Sequence, residues 1–495
     1  MRGSETKLSR NYDLTGIAPQ NVWKYFYEIS QIPRNSGDKQ RITDYLMDFC
    51  KKHSLKAHRD EAMNVVALVP ATPGYEDLPS VILHSHVDMV CIKAEGVEHD
   101  FSKDPIRAYA EGDKVLAEGT TLGGDDGIGM AFMLALMEDT ESPHPALECV
   151  FTTDEETDMN GGVALDYSQF KSKYYINIDG CGVAIGSAGE LDFRVVFENA
   201  RATMGQGMKT YRITVDGLLG GHGGLQAVLE RANAIALLSR TLLSARTTLG
   251  LHIVSVKGGR PGGCMATAIP QTAEAVVAVP AEAGEALASL VQAKRVEFAK
   301  EYSKRDPGLT LTLEECACPE QTVMAPETEK NLMALLNLFP NGLCSTHQYF
   351  EDTLGSTANV GVLETRETEI EIAVTLRSTH DRRYYLYEKS VLLCDLLHMK
   401  TEIICDLPAW EVSVSDEFMA LIKEIYPDYP PYILGGTGEI GFFATRIPNL
   451  NVVSLTPYMN NCHSVTEYLS ISECKIFYDR MLEVLRRMKE LPAPQ

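Results

Sequence analysis

Histidine and carboxylate side chains follow the apolar, strand-like runs of this 495-residue sequence, at the points where the predicted strands end. In chain order they are His84, His86, Asp88, Asp154, Glu155, Glu156, Asp179 and His463. Imidazole and carboxylate groups together suit zinc, manganese or cobalt, and the lack of thiolates argues against a purely structural zinc site. These residue types therefore predict metal-assisted hydrolysis.

A glycine-rich stretch lies between the first two of these strand-like runs. It reads Thr121-Leu-Gly-Gly-Asp125-Asp126-Gly-Ile-Gly129 and precedes an apolar helix predicted over residues 128–137. In open α/β sheets, functional sites form beyond the carboxyl ends of the strands. We therefore expect separate segments of the chain to deliver their histidines and carboxylates to one crevice.

Such a set of side chains can hold two metal ions. A bridging carboxylate, with one histidine and one further carboxylate for each ion, would hold the ions about 3.5–4 Å apart. The ions would lower the pKa of a shared water and polarise a carbonyl group. A neighbouring carboxylate must then take the proton of that water, and Glu155 and Glu156 could divide these tasks. Asp88 could accept the other N–H of His86 and fix its tautomer.

The predicted helices and strands position these side chains in an α/β domain that is interrupted by an α+β insertion. We predict that residues 1–189 and 411–495 form the α/β domain around a mixed, largely parallel sheet, because their apolar runs alternate with helices. Residues 190–410 show a β-α-β-β-α-β-like order with an amphipathic helix over 226–243. A second layer of similar kind is expected after residue 369.

Composition argues against several classes of function. The sequence holds 45 Lys+Arg against 68 Asp+Glu, for a formal net charge of −23. A general binder of nucleic acid or of an anionic membrane needs a basic face, so we expect neither partner. The sequence contains no P-loop, no His-Glu-x-x-His and no Gly-x-Ser-x-Gly motif, which argues against nucleotide binding through a P-loop, a helical zinc-protease site and a serine nucleophile.

No feature of the sequence predicts export or membrane insertion. The first ten residues carry charges with no apolar stretch after them, and no run approaches the roughly 18 apolar residues of a spanning helix. The 12 cysteines form no Cys-x-x-Cys pair, which favours reduced thiols. We therefore expect a cytoplasmic protein.

The motifs together resemble a known family. They are Leu83-His-Ser-His-Val-Asp-Met-Val90, Thr120-Thr-Leu-Gly-Gly-Asp-Asp-Gly-Ile-Gly-Met-Ala131, Thr153-Asp-Glu-Glu156, Ile178-Asp179 and Gly217-Leu-Leu-Gly-Gly-His-Gly-Gly224. They are similar to motifs of the aminoacyl-histidine dipeptidases, also called Xaa-His or cytosol non-specific dipeptidases. These enzymes belong to the co-catalytic zinc metallopeptidases, with carboxypeptidase G, aminoacylase and tripeptidase T. The resemblance spans nearly the whole chain and implies hydrolysis of dipeptides, either of Xaa-His type or with broad specificity.

The resemblance also implies roles for individual residues. The implied metal ligands are His86 and Asp179 for one ion, Glu156 and His463 for the other, and Asp125 as the bridge. Two divalent ions would be bound, with zinc as the expected metal and manganese or cobalt as alternatives. The implied general base is Glu155, with a metal-bridged hydroxide as the nucleophile, and Asp88 would orient His86.

By the same resemblance, the insertion would be a lid that also mediates dimerisation. His222 in its Gly-Gly-His motif would stabilise the developing oxyanion, in its own site or in that of a partner subunit. Arg377 would grip the free carboxylate of the substrate with two parallel hydrogen bonds. Asn359, Gly436 and Thr437 would line the substrate pocket. We therefore expect a small peptide as substrate and a homodimer formed through the lid.

Three positions depart from the pattern of the family. Asp126 stands where relatives carry asparagine and adds a charge beside Asp125, Gly435 stands where they carry histidine, and Thr267 stands where they carry asparagine. These changes leave the metal ligands intact and leave the preferred dipeptide open. Two other functions also stay open, namely an N-acyl-amino-acid deacylase on the same scaffold and a catalytically silent binding protein.

Overall fold

The computed structural model describes residue 10 and residues 12–259, 266–350 and 352–492. The chain forms two compact units. The first unit comprises the chain up to Gly186, Trp410–Tyr432 and the residues from Gly438 onward. The second comprises Ser187–Ala409 and Ile433–Thr437.

The part of the chain that precedes the second unit alternates between helices and strands. Its helices are α1 (Gln20–Ser30), α2 (Gln40–Lys52), α3 (Gly124–Glu138) and α4 (Asn160–Ala164). Its strands are β1 (Lys56–Arg59), β2 (Val65–Val69), β3 (Val81–His86), β4 (Ala108–Glu111), β5 (Lys114–Ala117), β6 (Leu147–Thr152), β7 (Tyr174–Asn177) and β8 (Gly182–Ser187).

The second unit contains mostly strands. Its helices are α5 (Ala234–Leu249), α6 (Gly284–Glu301), α7 (Pro326–Leu338) and α8 (Arg382–Leu396). Its strands are β9 (Gly189–Glu198), β10 (Arg201–Thr203), β11 (Met208–Asp216), β12 (Gly221–His222), β13 (His252–Gly259), β14 (Ala268–Ile269), β15 (Ala273–Pro280), β16 (Thr310–Glu315), β17 (Thr322–Met324), β18 (Gly342–Thr346), β19 (Leu354–Thr365), β20 (Glu369–Ser378) and β21 (Thr401–Leu407).

The C-terminal part of the chain returns to an alternation of helices and strands. Its elements are α9 (Asp416–Ile425), β22 (Tyr432–Leu434), α10 (Ile440–Arg446), β23 (Asn451–Thr456), β24 (Met459–Asn460), β25 (Tyr468–Ser470) and α11 (Ile471–Arg487). Helix α11 begins where the Ser470 side chain accepts a hydrogen bond from the backbone N–H of Glu473, and such a cap satisfies an N–H that has no partner within the helix.

A mixed sheet forms the centre of the first unit, with β1, β2, β6, β3, β7, β23 and β8 side by side in that order. The strands β6, β3, β7 and β23 run parallel, and the flanking β1, β2 and β8 run antiparallel to their neighbours. Every residue of β3, β6 and β7 is buried, as in a sheet covered on both faces. The carboxyl ends of the four parallel strands therefore meet at one edge, and they lead into the predicted site residues.

Helix α3 lies in the core of the first unit, against α1 and β3. All its residues from Asp126 to Met137 are buried, which confirms the predicted apolar helix. At its start, Asp125 and Asp126 have non-helical backbone angles, and the peptide bond between them is cis. None of the helices in the described part of the chain combines the length and apolar character needed to cross a membrane.

The second unit is built on one antiparallel sheet, in the order β16, β11, β15, β13, β19, β20, β9 and β21, with β18 also paired to β19. The prediction of a second layer after residue 369 is wrong. Strand β19 pairs with β13 on one side and β20 on the other, so the later strands extend the same sheet. Helix α5 also lies further along the chain than predicted, because Asn233 caps it through the N–H of Ala236.

Candidate metal centre

Histidine and carboxylate side chains cluster at the carboxyl edge of the parallel strands of the first unit. His86 is the last residue of β3, Glu155 and Glu156 follow β6, and Asp179 follows β7. His463 lies in the loop after β24, and Asp125 lies in the first turn of α3. The parallel order of the strands thus places the first four of these side chains at one edge of the sheet, as the sequence predicts.

Asp125 lies between the two histidines of the cluster. The Nε2 atom of His86 lies 3.1 Å from Oδ1 of Asp125, and Nε2 of His463 lies 3.4 Å from Oδ2. His463 Nε2 also lies 3.1 Å from the carboxylate of Glu156. Possible ligand atoms of His86, Asp125 and Glu156 lie within 4.8 Å of one another. Asp125 therefore turns one oxygen towards each imidazole, which is the arrangement that a bridging carboxylate needs.

Asp88 lies on the other side of the His86 ring. Its Oδ1 is 3.5 Å from Nδ1 of His86, and its carboxylate accepts the backbone N–H groups of Glu155 at 3.0 Å and Glu156 at 3.2 Å. Burial alone would raise the pKa of Asp88, but His86, a hydrogen bond from Ser36 and the backbone N–H of Glu155 lower it to about 2. Asp88 is therefore an anion that faces His86 and holds the turn after β6.

The cluster brings several carboxyl groups close together where solvent is largely excluded. Burial raises the pKa of Glu155 well above its ordinary value, and the neighbouring Asp179 and Glu156 raise it further. Burial and the adjacent Asp125 likewise raise the pKa of Asp179 to about 7. The carboxylates thus lack sufficient compensating positive charge, and a bound cation would supply it.

The two imidazoles carry the positive charge of the cluster in the metal-free protein. Burial alone would lower the pKa of His86, but Asp125 and Asp88 hold it well above its ordinary value. Asp125 and Glu156 raise the pKa of His463 to about 11. A divalent ion would replace these protons, because imidazole binds metal in its neutral form. The side chains present therefore fit a metal ion by their chemistry, their charge and the direction of both Nε2 atoms.

Asp126, which departs from the family pattern beside Asp125, lies among the buried residues of α3. Its side chain is fully buried, and Oδ1 accepts the backbone N–H of Gly129 at 3.1 Å. Burial and the nearby Asp179 raise the pKa of Asp126 well above its ordinary value. Burial thus works against a charge at this position, and the side chain still accepts the hydrogen bond from Gly129.

In the second unit, a local turn sets the protonation of His222. Its Nδ1 accepts the backbone N–H groups of Gly224 at 3.1 Å and Leu225 at 3.0 Å, so the ring proton lies on Nε2. Burial, with the nearby charge of Arg377, lowers the pKa of His222 to about 4. At neutral pH this side chain is therefore an uncharged imidazole that can donate a hydrogen bond from Nε2.

Arg377 lies close to His222 within the second unit. Its Nη1 donates to Oγ1 of Thr437 at 2.8 Å, and its Nη2 pairs with Glu190. The guanidinium is almost fully buried, and its Nε has no hydrogen-bond partner among the described residues. A Cβ atom on Gly224 would lie 2.8 Å from Cδ of Arg377 and 3.1 Å from Cε1 of His222. The structure therefore brings His222, Arg377 and Thr437 together.

The backbone around Gly435, another departure from the family pattern, packs closely against that of Gly224. A Cβ atom on Gly435 would lie 3.0 Å from the carbonyl oxygen of Gly224 and 3.1 Å from the side chain of Leu354. The two glycine backbones approach so closely that a histidine at position 435 would need its neighbours to move. Gly436, the next predicted pocket residue, lies beside Leu225.

Asn359 uses both its donors within the second unit. Its Nδ2 donates to the carbonyl oxygens of Ala266 at 2.6 Å and Ala268 at 2.8 Å. Its Oδ1 accepts from Nδ2 of Asn233 at 3.0 Å. Asn359 and Gly223 also line a cavity of about 310 Å³ in this unit.

Family membership follows from the span of sequence that matches. Peptidase family M20/M25/M40 matches residues 82–487, a span that contains every candidate ligand at the edge of the sheet. The chain belongs to this family. The match confirms the metallopeptidase family that its motifs resemble.

Individual relatives of this M20 peptidase match along almost their whole length. This chain is 31% identical over 490 residues to the cytosol non-specific dipeptidase of Escherichia coli (strain K12). The match covers 97% of this chain and 99% of the relative. The crystal structure of aminoacylhistidine dipeptidase from Vibrio alginolyticus has a TM-score of 0.86 at 30% identity, over 98% of this chain and 99% of that chain. Aminopeptidase PepT from Bacillus cereus shares the fold, with a TM-score of 0.53 at 13% identity over 96% and 99% of the chains. These matches confirm the predicted fold class.

Two buried charged residues of this M20 peptidase were not predicted from the sequence. Arg34 donates to backbone carbonyls beside the cluster, and Glu467 accepts backbone N–H groups there. The glycine pair at 123–124 indicates that some group approaches the backbone closely there, because glycine has no side chain to block it. Nothing in the residue types alone separates Arg34 or Glu467 from surface charges.

Proposed function

We propose that this M20 peptidase is a metal-dependent dipeptidase of the cytosol. The observation that carries the proposal is the position of Asp125, whose two oxygens face His86 and His463. Full-length similarity to the E. coli cytosol non-specific dipeptidase and the V. alginolyticus aminoacylhistidine dipeptidase supports the substrate class and the location. The substrate is a dipeptide, either of Xaa-His type or from a broader set.

We assign two divalent ions to the cluster, zinc first and manganese or cobalt as alternatives. His86 and Asp179 would hold one ion, Glu156 and His463 would hold the other, and Asp125 would contribute to both. When bound, the ions supply a lowered pKa for a shared water and polarisation of the scissile carbonyl. The carboxylate of Asp88 orients His86 through Nδ1.

Glu155 is the general base of the proposed reaction. Its carboxylate accepts the proton of the attacking water and passes it to the nitrogen of the leaving amine. The backbone N–H of Glu155 is held by Asp88, so the residue that orients His86 also positions the base.

The second unit acts as the lid in this proposal. The Nε2–H of His222 donates to the oxyanion that develops on the scissile carbonyl. Arg377 binds the free carboxylate of the dipeptide, and Asn359, Gly436 and Thr437 line the pocket. Closure of the lid excludes water from the reaction.

A panel of substrates tests the proposed activity. We expect the zinc-loaded enzyme to hydrolyse unblocked dipeptides at a kcat/KM at least about 100-fold above that for N-acetylated amino acids, because a dipeptidase that selects a free α-amino group rejects substrates in which that group is acylated. The reverse preference would make the protein a deacylase on the same scaffold. Hydrolysis of neither set by metal-loaded protein would support a binding protein instead.

We also propose that two copies of the chain associate through the second unit. Strand β21 is the edge of its sheet, with Ile403 and Ile404 about half exposed. On the adjacent part of the chain, Tyr385, Leu392 and Leu396 expose one apolar stripe of α8. An unpaired edge beside an apolar helix face is suited to a second copy.

Sedimentation equilibrium tests this association. We expect twice the chain mass of 54.6 kDa for the wild-type protein and the mass of one chain for Leu392→Asp. Leu243→Asp is a matched control, since Leu243 is an exposed leucine on α5, and we expect it to stay a dimer. A monomeric wild-type protein, or a Leu392→Asp variant that remains a dimer, would contradict the proposed interface.

A further inference from the structure

The loop that carries Asp125 is held by a buried carboxylate, Glu467. Its Oε2 accepts the backbone N–H groups of Leu122 at 2.8 Å and Gly123 at 3.1 Å. Its Oε1 accepts those of Gly124 at 2.7 Å and Asp125 at 3.4 Å. Glu467 is only 3% exposed. One side chain therefore satisfies four consecutive backbone donors at the start of α3.

Arg34 contacts the same loop and connects it to β3. Its Nη2 donates to the carbonyl oxygen of Gly123, and its Nη1 donates to those of Val87 at 2.9 Å and Asp88 at 2.7 Å. Arg34 is also 3% exposed and interacts electrostatically with Glu467. The guanidinium therefore joins the segment after His86 to the segment before Asp125.

The glycines of the Gly-Gly-Asp-Asp-Gly stretch make room for these two side chains. A Cβ atom on Gly123 would lie 2.5 Å from Nη2 of Arg34, and one on Gly127 would lie 2.8 Å from the same atom. A Cβ atom on Gly124 would lie 3.1 Å from Oε1 of Glu467. The spacing of this stretch thus follows from the approach of Arg34 and Glu467 to its backbone.

We propose that Glu467 is a positioning residue of the metal centre, whose carboxylate fixes the backbone of residues 122–125 so that Asp125 presents one oxygen to each ion. The inference rests on the proposed function, because it assumes that Asp125 is the bridging ligand. His463 lies in the same loop as Glu467. The residue that faces Asp125 and the residue that holds Asp125 are therefore only four positions apart on one loop.

The role requires a carboxylate rather than any polar side chain of that size. Each oxygen of Glu467 accepts two N–H groups, and an amide nitrogen cannot accept a hydrogen bond. Glutamine at position 467 would place an NH₂ group against two backbone donors. We therefore expect Glu467→Gln to displace the loop although its shape is nearly unchanged.

Zinc affinity of metal-stripped protein, measured by competition with a chelating dye, tests this role. We expect Glu467→Gln to weaken zinc binding at least about 10-fold, the lower end of the range for residues that orient metal ligands. Glu148→Gln is the matched control. Glu148 is a buried glutamate near the start of β6 that accepts from the N–H of Lys171 at 3.3 Å and Oγ of Ser172 at 2.9 Å. We expect its variant to lower the Tm and to leave zinc affinity unchanged.

A second variant disturbs the same contact by a change in the loop instead of in Glu467. Gly124→Ala would place a methyl group against Oε1 of Glu467, and we expect the same loss of zinc affinity. Wild-type affinity in both Glu467→Gln and Gly124→Ala would overturn the positioning role and leave the proposed dipeptidase untouched. A wild-type protein that binds no divalent ion would instead overturn the proposed metal centre, and the inference with it.

Discussion

Replacing Glu155 by glutamine is expected to lower kcat for dipeptide hydrolysis about 10²–10⁴-fold, the usual contribution of a general base. Glutamine has the shape of glutamate but cannot take a proton from the attacking water. The backbone N–H of Glu155, which Asp88 accepts, is unaffected by the change. We therefore expect KM and the zinc content to stay near those of the wild-type protein. Steady-state kinetics with an unblocked dipeptide and elemental analysis measure the two properties.

The adjacent residue is the control for this prediction. Glu156 contacts Nε2 of His463 at 3.1 Å, so Glu156→Gln is expected to reduce the zinc content as well as kcat. Substantial hydrolysis by Glu155→Gln with its metal bound would show that Glu155 is not the base. A loss of metal in Glu155→Gln, with metal retained in Glu156→Gln, would exchange the two roles.

Removal of divalent ions by a chelator is expected to reduce dipeptide hydrolysis to the background rate. Bound ions would offset the charges of Asp125, Glu156 and Asp179, whereas burial and Asp125 raise the pKa of Asp179 to about 7. Binding to the folded state alone also stabilises it, by about 2.7 kcal/mol when the free ion is 100-fold above its Kd. The stripped protein should therefore have a lower Tm than the loaded protein.

Reconstitution with zinc, manganese and cobalt in turn completes this experiment. We expect at least one ion to restore hydrolysis and raise the Tm together, since both effects depend on the same ligands. The variant His463→Ala should respond weakly in both measurements, because it lacks an imidazole of the cluster. Full activity after exhaustive chelation would contradict the metal-dependent mechanism. A stripped protein that no ion reactivates would favour a catalytically silent binding protein.

Local sequence determined the fold class and the types of residue at the site. Buried strands read as continuous apolar runs, and parallel strands place their carboxyl ends at one edge. The positions of His86, Glu155, Glu156 and Asp179 relative to those strand ends could therefore be read without any long-range contact. The sequence also placed Asp125 just before an apolar helix and His463 after a strand-like run, and the family resemblance implied their ligand roles.

Tertiary structure alone decided features that depend on burial and on distant parts of the chain. The strand β20 joins the same sheet as β13 because β19 pairs with both, and residue periodicity contains no information about such pairing. Burial, together with Asp179, raises the pKa of Asp126. Glu467 reaches the backbone before α3 from more than 300 positions away in sequence. The sequence by itself thus determined which chemistry is available, and long-range packing decided how its groups are held and charged, because the energies of burial and backbone hydrogen bonding depend on the whole fold.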